Sequence, residues 1–330
     1  MSKTGKIFTT ILVALSIVLA LSACGGGSSS TSTTSTPGKT ITIGFVPGVT
    51  TDPFFISMQV GAQQEATKLG IRLLWQGASQ YVPSQQTPFV DSLVSRNVSA
   101  LVIAPTDATA MIPPIRNAVN QHIPVVTVDS TITESSLLTA RVTANNTLGG
   151  TQAADILAQL VGDKGTVAVL DPAPGITTDA QRVQGFESEI KKYPGITYIG
   201  VQYDQEQNTT AASLAQELLL SHPHLVGIFG TDDTSASGAA AGIRSAGKTG
   251  IVKIVAYDAE PAEVQDLQAG LISAMIAQKP AQEGMLAVEY AYYAATGQTS
   301  KIVKNTELQN VVIDKQNLSQ NQQWLYQASA

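Results

Sequence analysis

The chain has 330 residues, of which 43% are hydrophobic and 13% are charged, so it can bury large cores and is long enough for two domains. Its formal net charge of -6 provides no basic stripe of the kind that neutralises phosphates, which argues against a nucleic-acid partner. A single cysteine excludes an internal disulfide framework.

The first residues have the pattern of an export signal. Two lysines precede an apolar run over 7–21, and the run ends in Leu21-Ser22-Ala23-Cys24, which resembles the lipobox at which bacterial lipoproteins are cleaved and lipidated. We therefore expect a lipoprotein signal peptide over 1–23 and a lipid on Cys24 that anchors an extracytoplasmic protein to the cell membrane. Ordinary secretion and an uncleaved anchor are the alternatives.

The next segment, 24–39, is rich in Gly, Ser and Thr. Such a composition cannot pack a core and is typical of a flexible linker. It predicts a folded body that begins near residue 40 and is tethered beside a membrane.

From residue 40 onward, β-branched runs alternate with amphipathic segments. The predicted strands are 41–46, 73–75, 100–103, 125–128, 167–170, 196–201, 226–229 and 251–257. The predicted helices include 54–69, 108–120, 178–192, 209–221 and 234–246. This βαβ periodicity, repeated in two similar halves, predicts an α/β fold with parallel sheets.

Acidic residues follow several of the predicted strands. Asp129, Asp232 and Asp258 come at strand ends, and Asp52 follows the first strand after a short turn. For any one of them taken alone, the alternative is that it serves only as a helix N-cap. Because parallel sheets bind ligands at the carboxyl ends of their strands, four such acids in two halves favour a polar cleft.

Two aromatic residues stand beside the first of these acids. Phe54 and Phe55 follow Asp52 at the junction between a loop and a helix. Aromatic rings cover the apolar faces of a sugar, while carboxylates, amides and an arginine bind its hydroxyls. The pattern indicates a small polar ligand such as a sugar, and the alternative is that the two rings only pack the start of the helix.

A phosphate-binding motif and enzymatic functions fit the sequence poorly. Residues 242–249 match G-x-x-x-x-G-K-T, but a helix precedes them and a strand follows, which reverses the order of a working P-loop. We expect Gly247 to end that helix instead. The three histidines lie in predicted surface turns and cannot complete a metal site. Asp129 with Asp258 is a conceivable glycosidase pair, but nothing requires it, so we predict no enzyme, no metal and no cofactor.

The segment Asp52-Pro53-Phe54-Phe55 resembles the opening of the ribose-binding-protein-like family, the type I periplasmic sugar-binding proteins among the substrate-binding lipoproteins of ABC transporters. Further segments follow in the order of that family, so that the resemblance covers about 41–314. They are 105–107, 123–129, 145–150, 182–186, 231–233, 257–258 and 276–278.

The resemblance implies two Rossmann-like lobes with parallel sheets, joined by three crossovers. The first lobe would comprise 40–144 plus 279–306, the second 145–278 plus 307–320, and 321–330 would form a tail. The ligand would bind between the lobes, which would close about hinges near Asn145, Gln278 and Glu307.

The resemblance also implies the site residues. Phe54 and Phe55 would stack on the sugar, with an aromatic or other partner from the second lobe. Hydrogen bonds to hydroxyls would come from Asp129, Asp232, Asp258 and Gln278. Asp52 and Asp232 stand where the ribose receptor has asparagines, and Ser130 stands where it has an arginine. A second arginine of the receptor, which binds its ligand, aligns with Ala180. The resemblance therefore leaves open whether Arg182 contacts the ligand.

A pocket that loses donors and gains carboxylates suits a neutral sugar or polyol, or a cationic amino sugar, better than ribose or an anion. The implied function is that of a monomeric substrate-binding lipoprotein that delivers its ligand to ABC permease subunits. A ligand-presenting sensor, such as an autoinducer or chemoreceptor binding protein, is the alternative, with polar contacts from Thr177-Thr178-Asp179.

Overall fold

The computed structural model describes residues 40–329; the predicted signal peptide, Cys24 and the linker lie outside this range. The described strands are β1 (Thr42–Val46), β2 (Arg72–Trp75), β3 (Ala100–Ile103), β4 (Val125–Val128), β5 (Ala140–Ala144), β6 (Gly165–Asp171), β7 (Ile196–Tyr203), β8 (Leu225–Gly230), β9 (Lys253–Tyr257), β10 (Ala274–Ala277), β11 (Asn305–Leu308) and β12 (Val311–Ile313). The described α-helices are α1 (Pro53–Leu69), α2 (Pro83–Ser95), α3 (Ile112–Asn120), α4 (Asn146–Val161), α5 (Thr177–Ile190), α6 (Asn208–Ser221), α7 (Asp233–Ser245), α8 (Pro261–Ala269) and α9 (Pro280–Ala295). None of these helices is long and apolar enough to cross a membrane.

The strands form two sheets, one in each lobe. The first has the order β11-β5-β4-β3-β1-β2 and is parallel throughout. The second has the order β12-β10-β9-β8-β6-β7 and is parallel except for β12, which runs antiparallel to β10. Every residue of β3 and β4 is buried, as expected when helices cover both faces of a parallel sheet. The predicted α/β fold with two lobes is confirmed.

The chain passes between the two sheets three times. It leaves the first sheet after β5, returns after β10, and leaves again between β11 and β12. The predicted boundary near Glu307 is two residues early, because Glu307 pairs with Thr143 and Leu308 with Ala144 inside the first sheet. The third crossover therefore lies at 309–310.

Side chains tie two of these crossovers together. The Nδ2 amide of Asn310 donates to the Asn145 carbonyl oxygen at 3.0 Å and to the Tyr257 hydroxyl at 3.0 Å. The Tyr257 hydroxyl in turn lies 3.3 Å from Asn146 Oδ1 at the start of α4. Two chain crossings and the end of β9 thus share one hydrogen-bond network.

The motif that resembles a P-loop forms a helix end, as predicted. Gly247 follows α7 with a φ of 66°, and its N–H donates to the Arg244 carbonyl oxygen at 3.0 Å. The next N–H, that of Lys248, donates to Ile243 O at 3.0 Å. These two bonds define a Schellman ending, so the motif closes α7 and does not open a helix.

Glycines let α4 and α5 approach until their backbones touch. A Cβ added to Gly150 would collide with the Arg182 carbonyl oxygen, and one added to Gly185 would collide with that of Thr147. The close packing brings the Arg182 side chain beside Asn146, where its Nε donates to Asn146 Oδ1 at 2.9 Å.

We predict that Gly185→Ala lowers the free energy of unfolding by about 1–3 kcal/mol, because backbone atoms must move to admit the new methyl group. Urea unfolding followed by circular dichroism measures the change. The control is Gln184→Ala, on the exposed side of the same helix, which should leave the midpoint nearly unchanged. Equal midpoints for both variants would contradict the close packing of α4 and α5.

Candidate functional site

Residues of both lobes line a cavity of about 760 Å³. Eight of the nine predicted ligand-binding residues are among them: Asp52, Phe54, Phe55, Asp129, Arg182, Asp232, Asp258 and Gln278. The ninth, Ser130, is buried outside the lining, and its hydroxyl donates to the Pro105 carbonyl oxygen at 2.7 Å. The structure therefore gives Ser130 a place in the loop beneath the cavity and not on its surface.

The start of α1 supplies the aromatic wall of the cavity. Asp52 is the N-cap of this helix, and its side chain accepts from the Phe54 N–H at 2.6 Å. The rings of Phe54 and Phe55 meet edge to face, with centroids 5.0 Å apart. Among the described residues of the second lobe, no aromatic side chain lines the cavity; Pro174 and Ile176 are the larger apolar ones there.

Asp129 and Asp258 occupy equivalent positions in the two lobes. Each follows a central strand, β4 or β9, and each has a positive φ, 60° and 90° respectively. Non-glycine residues rarely adopt this conformation, and its energetic cost is concentrated at functional sites. Both side chains are nearly buried and line the cavity, so the strained backbone aims two carboxyl groups at the same space.

The neighbours of Asp258 restrict how it can face a ligand. Its Oδ1 accepts from Gln278 Nε2 at 2.7 Å and from the Tyr326 hydroxyl at 2.8 Å. The Gln278 Oε1 atom is buried and has no hydrogen-bond partner within the described residues. Since Gln278 lines the cavity, this oxygen is an acceptor that a ligand hydroxyl could satisfy.

Arg182 lies under the cavity in a network of its own. Its Nη1 donates to Asp179 Oδ1 at 2.9 Å and to the Thr231 carbonyl oxygen at 2.8 Å. Its guanidinium stacks over the Tyr257 ring, 3.8 Å from the centroid. The Nη2 group makes no hydrogen bond to the described residues, so two donors of this cavity-lining arginine stay free for a ligand.

Carboxyl groups dominate the cavity. Nine of them line it: Asp52, Asp107, Asp129, Asp179, Glu206, Asp232, Asp233, Asp258 and Glu260. Arg182 is the one lysine or arginine side chain among the described lining residues. The excess of carboxyl groups over cationic groups is therefore larger than the sequence predicted.

Burial raises the pKa values of eight of these groups; for Asp107, burial is outweighed by hydrogen bonds from Ala110 and Thr109, which lower its pKa. Burial is the main cause of a pKa of about 7 for Asp129 and for Asp179, and nearby Arg182 limits both rises. Burial also raises the pKa of Asp52 to about 6 and that of Glu260 to about 12. Oxygens of Asp52, Glu260 and Asp233 lie within 4.8 Å of one another, so at least one proton is shared in this trio at neutral pH.

Sequence reasoning missed several of the lining acids. Asp233 directly follows Asp232, and Glu260 caps α8 in a capping box with Glu263, so both resembled ordinary helix starts. Glu206 stands in a loop where it and Gln205 both have positive φ values. Consecutive non-glycine residues in this conformation have no signature in one sequence, but backbone strain of this kind is concentrated at functional sites.

With the geometry in place, known proteins can be compared. The family model described as periplasmic binding protein domain matches residues 43–299. The ribose import binding protein of Bacillus subtilis is 31% identical over 286 residues, which cover 84% of this chain and 92% of that protein. This chain belongs to the type I periplasmic sugar-binding proteins. Proteins of this family are extracytoplasmic receptors of ABC transporters and not enzymes, as predicted.

Solved structures of the same family agree with the fold. An ABC transporter solute-binding protein from Agrobacterium vitis, bound with α-D-tagatopyranose, is 37% identical, with a TM-score of 0.84 over 87% of this chain and 99% of that chain. A periplasmic solute-binding protein from Actinobacillus succinogenes, with bound D-allose, is 28% identical, with a TM-score of 0.78 over 84% of this chain and 99% of that chain.

We predict that the ligand-free protein becomes less stable as the pH rises. Carboxyl groups whose pKa is raised by folding bind protons more tightly in the folded chain, so stability falls between the ordinary pKa and the raised one. This window runs from 3.8 to about 6 for Asp52 and from 3.8 to about 7 for Asp129 and Asp179. Scanning calorimetry should therefore show a lower Tm at about pH 8 than at about pH 5.5.

The variant Asp129→Asn should lose part of this difference in Tm, because it removes one of the titrating groups. Asp91→Asn, on the exposed side of α2, serves as the control and should retain the wild-type difference. A Tm that rises over this pH range would contradict the carboxyl-rich interior.

Proposed function

We propose that this protein is the substrate-binding lipoprotein of an ABC importer and binds a neutral sugar or polyol between its lobes. One observation carries the proposal: a cavity between two lobes combines a wall of two phenylalanine rings with carboxyl, amide and guanidinium groups. Such a mixture matches the apolar faces and polar edges of a sugar ring. The ligands named for its relatives, ribose, tagatose and allose, are all uncharged.

The proposed contacts follow from the groups that have free hydrogen-bonding capacity. Asp129 and Asp258 would accept from hydroxyls, as would the unpartnered Oε1 of Gln278. Arg182 Nη2 would donate to a ring or hydroxyl oxygen. The ring itself would lie against Phe54 and Phe55.

The charge of the cavity restricts the class of ligand. An anionic ligand would meet nine carboxyl groups and one arginine that is already paired with Asp179, and unpaired like charges in a buried site are costly. Sugar acids should therefore bind poorly. An amino sugar is the second candidate ligand, because its ammonium group would pair with one of the cavity carboxyl groups whose pKa is raised in the ligand-free protein.

Closure about the three crossovers would trap the ligand. Contacts between the lobes include a hydrogen bond from the Thr131 N–H to the Thr177 hydroxyl at 3.1 Å, which links the loop after β4 with the start of α5. A ligand that contacts both lobes would bind the closed state more tightly than the open state. This difference in affinity would shift the equilibrium toward the closed state. In this proposal the permease recognises the closed form of a monomer.

The same proposal includes a lipid anchor. The sequence up to Cys24 has the pattern of a lipoprotein signal peptide, and a segment rich in Gly, Ser and Thr follows it. A lipid on Cys24 would hold the protein at the membrane that contains its permease.

We predict that neutral sugars or polyols raise the Tm of the full-length protein and give a binding signal in calorimetry. Amino sugars are the second class of ligand to test, and sugar acids should give no response. A ligand raises Tm because it binds only the folded chain. For the best ligand, Asp258→Asn should lower affinity by about ten- to a hundredfold, the value of a hydrogen bond to a charged group. Asp91→Asn should bind like wild type.

A response to sugar acids alone would overturn the charge argument. A protein that binds no member of the panel would overturn the sugar-receptor proposal itself.

We predict that the protein expressed in a bacterial host fractionates with membranes, and that Cys24→Ser abolishes both the acylation at residue 24 and the cleavage before it. The thiol of Cys24 would carry the acyl chains, and hydrophobic burial of those chains holds the protein on the bilayer. Mass spectrometry of the N-terminal peptide gives an independent reading. An unmodified cysteine on a mature chain would contradict the anchor.

A further inference from the structure

The end of the chain returns to the site. Tyr326 lies in the predicted tail, yet only 6% of its surface is exposed. Its backbone N–H donates to the Ala259 carbonyl oxygen of the second lobe at 3.0 Å. The following N–H, that of Gln327, donates to the Ser57 hydroxyl on α1 of the first lobe at 2.7 Å. Residues 322–329, which we call the C-terminal strap, therefore link the two lobes in addition to the three crossovers.

The hydroxyl of Tyr326 joins two of the cavity-lining residues. It donates to Asp258 Oδ1 at 2.8 Å and accepts from the Gln278 backbone N–H at 2.9 Å. Gln278 Nε2 also donates to Asp258 Oδ1. Because both protein donors occupy Oδ1, the orientation of the carboxyl group is fixed and Oδ2 is left for a ligand.

The ring of Tyr326 contacts the aromatic wall. Its centroid lies 5.7 Å from that of Phe54, at an interplanar angle of 63°, a favourable edge-to-face geometry. Two residues earlier in the strap, the Trp324 ring lies under Lys279 Nζ, 4.6 Å from its centroid. Lys279 stands directly before α9, where the chain crosses back to the first lobe. The strap thus packs against a crossover as well as against the site.

We propose, on the basis of the sugar-binding function proposed above, that the C-terminal strap belongs to the binding machinery. Tyr326 is a positioning residue: it holds Asp258 of the second lobe and Phe54 of the first in fixed orientations, so that affinity and the choice of sugar depend on the strap. Tyr326 itself is not among the described residues that line the cavity, and it acts through these two neighbours.

The role of the hydroxyl has a titration signature. Burial raises the pKa of Asp258, while Arg182 and the hydrogen bonds from Gln278 and Tyr326 oppose that rise. Loss of the hydroxyl should raise the pKa of Asp258 further. The other charged groups that interact with Asp258 remain unchanged in such a variant: Asp52, Asp129, Asp179, Asp232, Asp233, Glu263 and Glu283.

The test is isothermal titration of full-length Tyr326→Phe with the best sugar of the panel and with epimers of that sugar, across a pH series. We expect about tenfold weaker binding, the effect of losing one hydrogen bond to a charged group. We also expect weaker discrimination between epimers, and a loss of affinity on acidification that begins at a higher pH than in wild type. A chain that stops after Asn321 should bind still more weakly.

Tyr293→Phe is the matched control, because the Tyr293 hydroxyl also donates to a carboxylate at 2.8 Å, that of Glu289 on α9, away from the cavity. It should bind like wild type at every pH. Wild-type affinity and an unshifted pH profile in Tyr326→Phe would overturn the positioning role and leave the proposed function standing. Failure of the wild-type protein to bind any sugar would overturn the function and this inference together.

Discussion

Arg182 is the one cation among the described residues that line the cavity, and nine carboxyl groups line it as well. Its guanidinium is buried and held by Asp179, Asn146 and the Tyr257 ring. Burial raises the pKa values of Asp129, Asp179 and Asp258, and the charge of Arg182 opposes all three rises. The arginine therefore offsets only part of the carboxyl groups of the cavity. The proposed preference for an uncharged or cationic ligand follows from that imbalance.

Most of the fold could be predicted because its strands are continuous β-branched runs and its helices are amphipathic. The runs at 100–103 and 125–128 match β3 and β4 residue for residue. Other element boundaries depend on hydrogen bonds of individual side chains, which the hydrophobic pattern does not show. Helix α3 begins at Ile112 and not at Ala108, because the Asp107 carboxylate accepts from two N–H groups and holds the intervening residues in a turn. The position of the third crossover could not be predicted, because it depends on the pairing of β11 with β5, which are far apart in the chain.

The site could be predicted in part for the same reason. Asp129 and Asp258 stand at strand ends, and the parallel sheets fix where strand ends lie. Glu206 and Glu260 come from loops and helix starts whose paths no periodicity reveals. Tyr326 lies far along the chain from the residues it touches, in a segment without pattern. Ser130 was assigned to the site only by resemblance to a family position, and its short side chain bonds to Pro105 O instead.

The most direct test of the account is a crystal structure of the protein grown with its best-binding sugar. The proposed site predicts one sugar between the lobes, with its ring against Phe54 and Phe55 and with hydroxyls bonded to Asp129, Asp258 Oδ2 and Gln278 Oε1. A ligand bound elsewhere on the protein, or one that leaves these groups without contacts, would contradict it.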